Sequence, residues 1–225
     1  MLRAIDSELW VAESPLRFLG LEIGARMTIV RLPDGALFIH SPVSMTPELK
    51  REVEELGPVK YLIAPNKFHH LYVGEWIEAF PEAVFYAAPG LGERRKDLDC
   101  RNVLSDTPDP GWAGTIDQVL FEGFPFVNET AFYHRPSKTI IATDIAFNVG
   151  EGSPAATRVF FQMARTYGRL SPTFLERLLV RDKSAFRGCL DRLLEWPFER
   201  AIVAHGEISE SGGRDQLKEG YAWLY

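Results

Sequence analysis

The sequence predicts a layered α/β (α+β) fold, and three observations carry that reading. Short strand-like apolar runs alternate with helix-like stretches in both halves of the chain, which favours sheet covered by helices over an all-β protein or a bundle. Four of the apolar runs end by delivering a His or an Asp. No internal repeat and no low-complexity linker divides the 225 residues, so the chain is read as a single domain, 1–225.

Composition narrows the function classes. With 46% hydrophobic and 25% charged residues the chain has an ordinary globular balance and can bury a real core. Its net charge of −6, without any basic run, argues against a nucleic-acid surface. Cys100 and Cys189 stand far apart with no C-x-x-C spacing, so no disulfide framework or zinc ribbon is expected and a reducing cytoplasm suits the chain. The opening "MLRAIDSELWVAES" lacks the apolar centre of a signal peptide. No apolar run approaches the ~18 residues of a membrane span. A cytoplasmic protein acting on a small-molecule substrate or ligand is expected, with no nucleic-acid or membrane partner; the oligomeric state is not legible.

The elements follow in order. A short strand lies around Trp10–Glu13. A hairpin pairs "MTIVRL" (27–32) with "ALFIHS" (36–41) through Pro33-Asp34-Gly35. A helix begins with Thr46 as N-cap and Pro47 at its first position, and stops at Gly57. The strand "VKYLIA" (59–64), a short helix over 71–80 and the strand "AVFYAA" (83–88) come next. The breaker-rich "LSDTPDPGWAGT" (104–115) reads as a surface loop between two halves of one domain. Beyond it, "IDQVLFEG" (116–123), "FVNETAFYH" (126–134) and "TIIATD" (139–144) read as strands. Helical stretches are expected over 154–167 and 172–180. A better-defined helix covers 182–195, capped by Asp182, with Phe186, Cys189, Leu190, Leu193 and Leu194 on one face. "RAIVAHG" (200–206) is a short buried strand, and a last helix starts near Arg214.

The polar residues at strand ends carry the chemistry. His40 closes "LFIHS", Asp144 closes "TIIATD", His205 closes "AIVAHG", and His69 and His70 follow "YLIA" directly. Strand ends in α/β folds aim side chains into a shared crevice. Imidazole and carboxylate suit zinc, iron or manganese, and a His-rich set without cysteine fits a catalytic metal better than a structural one. Each residue also has a plainer reading. His40 fits a hydrogen-bonded residue after a strand, Asp144 a cap, and His205 a turn beside Gly206. His69 and His70 point apart in an extended chain, so only a turn brings both to one ion. His134 is assigned to the surface. Glu129 reads either as a buried partner or as an exposed cross-strand residue. No G-x-G-x-x-G, P-loop or G-x-S-x-G is present, which sets nucleotide binding and serine hydrolysis aside.

The order of these features over about residues 8–210 resembles the metallo-β-lactamase-like superfamily. "MTIVRLPDGALFIHSPV", "APNKFHH" and "IVAHG" are similar to one of its branches known as a domain of unknown function. The resemblance implies a four-layer αββα sandwich with a mono- or dinuclear metal site. Laid on "PNKFHH", the superfamily's H-x-H-x-D-H motif places its two early histidines on Pro65 and Lys67, its Asp on His69 and its last His on His70. The bridging Asp matches Asp144 and the closing His matches His205. The third His of the first metal site falls near Glu129, and His40 replaces an Asp that usually ends an early strand. The motif is thus degenerate: the resemblance implies loss of the first metal site and survival of His69, His70, Asp144 and His205 as ligands of one divalent ion (Zn, Fe or Mn). Lys67 and Glu129 are the candidate catalytic groups, and His40 and Asn66 stand beside the ligands. The resemblance, with these residues, implies three alternative functions. They are a single-metal hydrolase of an ester, thioester or lactone, an inactive binding protein that holds no metal, and a mononuclear iron oxidoreductase.

Overall fold

The structure is a computed structural model and describes residues 1–225. Its first sheet opens with β1 (Arg3–Asp6) and β2 (Leu9–Ser14); a small separate hairpin of β3 (Arg17–Phe18) and β4 (Leu21–Glu22) follows. Then come β5 (Ala25–Arg31), β6 (Leu37–His40), α1 (Pro47–Leu56), β7 (Val59–Ala64), α2 (Val73–Ala79), β8 (Val84–Ala87), α3 (Leu91–Arg94) and β9 (Asn102–Val103). The second half runs β10 (Ile116–Leu120), β11 (Thr130–His134), β12 (Thr139–Ala142), α4 (Ala155–Met163), α5 (Phe174–Leu179), α6 (Lys183–Glu195), β13 (Arg200–Val203) and α7 (Gly213–Gly220). The large sheet has the strand order β1-β2-β5-β6-β7-β8-β9, and the smaller one β10-β11-β12-β13. Strands β6 to β9 are parallel neighbours, as are β12 and β13.

Alternation along the strands builds four layers. On β6, Phe38 faces the second sheet while Leu37 and Ile39 face α1 and α2. On β12, Ile141 faces inward and Ile140 and Ala142 face α6. One core therefore lies between the sheets, with Phe38, Tyr61, Ile63, Phe132, Ile141 and Ile202, and one lies under each helical layer. This is the expected αββα sandwich. Phe38 and Phe132 pack edge-to-face at 5.4 Å across the sheets, the kind of contact whose truncation to Ala costs about 3–5 kcal/mol.

Helix ends form as the sequence dictates. Thr46 Oγ1 accepts from Leu49 N at 3.2 Å, and Asp182 Oδ1 accepts from Ser184 N and Ala185 N at 3.0 Å. Three expectations need correction. The 104–115 segment is not purely a surface loop, because Leu104 and Trp112 are buried and Trp112 packs 5.2 Å from Phe38 in the inter-sheet core. His134 is buried, not superficial: it lies at the β11–β12 turn with Nδ1 2.7 Å from Ser137 Oγ. The strand expected over 126–134 starts only at Thr130, since Asn128 takes a left-handed φ of 52° and bends the chain just before it. That bend turns Glu129 toward the strand ends of the second sheet.

Candidate metal centre

The ends of β6, β7, β12 and β13 meet at one edge of the sandwich, and each delivers a polar residue there. The loop after β7 crosses from one sheet to the other. Thr130 N donates to Pro65 O at 2.9 Å, and Lys67 N donates to Val127 O at 3.0 Å. Its turn is closed by Asn66, whose Oδ1 accepts from Phe68 N (2.7 Å) and His69 N (2.8 Å). On the opposite side, buried Arg26 of β5 donates to Val203 O and to Gly206 O (2.6 Å) and pairs with Glu13 at 2.9 Å. That clamp holds the end of β13. Gly206 is required here: its φ is 88°, and a Cβ would overlap the Asn148 carbonyl.

Three donor atoms converge. His69, Asp144 and His205 each present one ligand atom, all within 4.8 Å of one another. Asp144 Oδ1 lies 3.4 Å from His69 Nε2 and 3.5 Å from His205 Nε2. These separations exceed the 2.7–3.2 Å of an N–H···O bond. They match donors around one tetrahedral ion, since bonds of about 2.0–2.1 Å place neighbouring ligand atoms about 3.3 Å apart.

The far side of each donor is also held. His205 Nδ1 lies 2.6 Å from the Gly24 carbonyl, which can only accept, so the proton sits on Nδ1 and Nε2 keeps its lone pair for the cluster. The ring stacks on Phe147 at 5.3 Å, 14° from parallel. His69 Nδ1 is 2.7 Å from Ser41 Oγ. Asp144 Oδ2 accepts from Asn66 Nδ2 at 2.7 Å. Such outer contacts fix ring orientation and tautomer in metal sites.

Glu129 stands behind Asp144 and is fully buried. Its two oxygens accept from Thr143 N and Asp144 N, both at 2.6 Å, and Oε2 also receives Asn66 Nδ2 at 3.2 Å. The Asn66 amide further reaches Thr143 Oγ1 at 2.8 Å, so its two N–H bonds serve three oxygens. Burial and the Asp144 charge push the Glu129 carboxyl up to about 7, against the backbone donors that favour its charged form. Burial alone would raise Asp144 too, but His69 and His205 outweigh it and hold that carboxyl well below its usual range.

His40 lies beneath this cluster on the inner face of β6, its ring 5.4 Å from Phe132. It is 1% exposed, and neither ring nitrogen has a hydrogen-bond partner. Burial, with His69 adding to it, drives its pKa down to about 3, so the ring is neutral and keeps a free lone pair.

The structure separates the other expected site residues from the cluster. His70 turns away: Arg95 Nη1 donates to its carbonyl and lies 3.0 Å from its Nδ1, and burial followed by Arg95 lowers its pKa. Lys67 extends outward, with Nζ donating to Pro125 O at 2.8 Å. Five participants escaped the sequence reading, namely Gly24, Arg26, Ser41, Thr143 and Phe147. Ser41 and Thr143 adjoin His40 and Asp144 and were open to inspection; nothing in the sequence points to Gly24 or Phe147.

Comparison with known proteins places the fold. The family described as a domain of unknown function (DUF4336) matches residues 6–92, which include the loop carrying Asn66 and His69. A metallo-β-lactamase from Pontibacter korlensis superposes with a TM-score of 0.66 at 14% identity, covering 100% of this chain and 98% of its own. A putative diflavin flavoprotein fragment from Nostoc sp. PCC 7120 gives 0.68 at 13%, covering 100% and 95%. The metal-soaked flavodiiron core from Synechocystis sp. PCC6803 gives 0.67 at 13%, covering 100% of this chain and 60% of that one. No curated protein matches the chain in sequence. The chain has the metallo-β-lactamase fold, and at these identities the likeness concerns the fold alone. No helix is long and apolar enough to cross a membrane.

Proposed function

We propose that this protein is a hydrolase working through a single divalent ion held by His69, Asp144 and His205. The observation that carries the reading is the 3.4–3.5 Å spacing of two imidazole nitrogens from one carboxylate oxygen. It is too long for hydrogen bonding and right for shared coordination. Three protein donors leave a coordination position for water or substrate, the arrangement of catalytic rather than structural sites. Zinc, iron and manganese all suit two imidazoles and a carboxylate.

The likeness to H-x-H-x-D-H supports one ion rather than two. Pro65 and Lys67 occupy the positions of its first two histidines, and neither offers a ligand of that kind. When bound, a divalent ion supplies a water of lowered pKa and polarises the carbonyl of an ester, thioester or lactone. The chain's own groups do the rest. Ser41 and the Gly24 carbonyl fix the two rings. Asn66 orients Asp144 and holds the amides of Phe68 and His69. Glu129 belongs to this scaffold rather than to proton transfer, because both of its oxygens are engaged by N–H donors. The two free cysteines suit the cytoplasmic setting proposed for the chain.

Elemental analysis after purification, together with an ester, thioester and lactone panel, tests the proposal. About one ion per chain and activity lost to chelator and restored by metal support it. A metal-free protein whose melting temperature ignores both chelator and added zinc contradicts it, and favours the second reading, a binding protein without metal. The absence of histidine at Pro65 and Lys67 is what speaks for that second reading. An iron-loaded protein that consumes oxygen on thiol substrates and hydrolyses nothing replaces hydrolysis with oxidation at the same ligands.

A further inference from the structure

The loop that delivers His69 also carries a different chemistry on its outer side. There it presents Lys67 and Phe68, and α3 lays Arg94 against them. The Arg94 guanidinium carbon stands 5.4 Å from the ring centroids of both Phe68 and Phe126, which are 5.7 Å from each other. Phe126 is 49% exposed, a large aromatic face left open to solvent. Lys67 is held in place by Pro125 O at 2.8 Å and by the bare Cα of Gly90, where an added Cβ would come 2.8 Å from Lys67 Cε.

Neither cation is neutralised. Lys67 Nζ meets only a carbonyl, and Arg94 makes one long contact of 3.5 Å, to Lys67 O. The neighbouring Arg95 differs, being paired with Asp97 at 2.7 Å. Two cations without a carboxylate partner thus stand together beside the exposed Phe126 ring. A guanidinium stacked on aromatic faces keeps its edge N–H groups free to fork onto a carboxylate or phosphate. One side chain joins this patch to the metal centre, since Asn66 holds the amides of Phe68 and His69 at one end and Asp144 at the other.

We propose that Lys67, Arg94 and the Phe68–Phe126 pair recognise an anionic group on an apolar or aromatic body, so that the substrates of the centre are small acyl compounds bearing a carboxylate or a phosphate. The substrate assignment rests on the hydrolase reading; the anion site does not.

Calorimetric titration with phenyl phosphate, benzoate and uncharged benzyl alcohol tests it, on the protein as purified and again after chelator treatment. Both anions bind about tenfold tighter than benzyl alcohol, and Arg94→Gln and Lys67→Gln each erase about tenfold of anion affinity. Arg51→Gln, a surface cation of α1, changes nothing. Tighter phenyl phosphate than benzoate marks a phosphate substrate, and the reverse a carboxylate. Equal affinity for anions and alcohol overturns the proposal. So does unaltered binding in Arg94→Gln, an equal loss in Arg51→Gln, or anion affinity that vanishes with the metal. Anion binding that follows the expected pattern in a chain that never holds metal leaves the anion site standing and removes the hydrolase reading instead.

Discussion

His69 and His70 are neighbours in sequence and belong to different regions of the molecule. His69 lies in the buried cluster, its Nδ1 against Ser41 Oγ and its Nε2 3.4 Å from Asp144. His70 lies outside the cluster, held by Arg95, a cation that opposes both its protonation and the approach of a metal ion. Residue type is identical; the partner on the second ring nitrogen is not. A histidine becomes a ligand candidate when an oxygen anchors one nitrogen and leaves the other facing a carboxylate.

That contrast is broken or sharpened by five substitutions, beginning with the largest effect. His205→Ala or Asp144→Ala removes one of three donors, and bound metal falls from about one ion per chain to under about a tenth, read by elemental analysis. His70→Ala keeps the metal; loss of metal there would merge the two regions and defeat the distinction. Next, Asn66→Ala strips the donor shared by Asp144, Glu129 and Thr143. Metal affinity drops about 10- to 100-fold, and stability falls by about 1–3 kcal/mol from the buried oxygens left unpaired. Competition with a chromophoric chelator reads the first and urea unfolding the second, and unchanged values in both would show that the amide holds nothing.

His40→Leu has a smaller effect that depends on pH. The His40 ring falls from an ordinary 6.5 to about 3 in the folded chain, so the unfolded chain binds the extra proton between those values. The stability this supplies is complete above pH 6.5 and is lost as pH falls toward 3, at up to about 1.4 kcal/mol per pH unit. Removing the ring removes that slope, so wild type loses ground to His40→Leu between pH 7 and pH 5. Parallel urea midpoints at the two pH values would contradict it. Smallest of all, His70→Ala changes unfolding stability by no more than about 0.5–1 kcal/mol, because its ring is only half-buried and is held by a single side chain.

The sequence was most informative where chemistry and periodicity coincide. Helix α1 was legible from Thr46 and Pro47, α6 from Asp182 and its apolar face, and the central strands from β-branched runs between breakers. Asp144 and His205 were legible because each ends such a run. The separate fates of His69 and His70 were not, since they depend on Arg95, just past the end of α3 and 25 residues away. The anchor of His205 was equally hidden, because a backbone carbonyl at Gly24 leaves no trace in residue type. Glu129 stayed ambiguous until the left-handed Asn128 showed the strand beginning after it. Short elements such as β1, β9 and α3 carry too few residues for any period to register.

X-ray absorption at the metal edge of the protein as purified, compared with its His70→Ala variant, tests the centre most directly. One ion with two imidazole nitrogens and oxygen donors is expected, with an identical spectrum for the variant. A metal-free wild type, or a spectrum that loses an imidazole with His70→Ala, would contradict it.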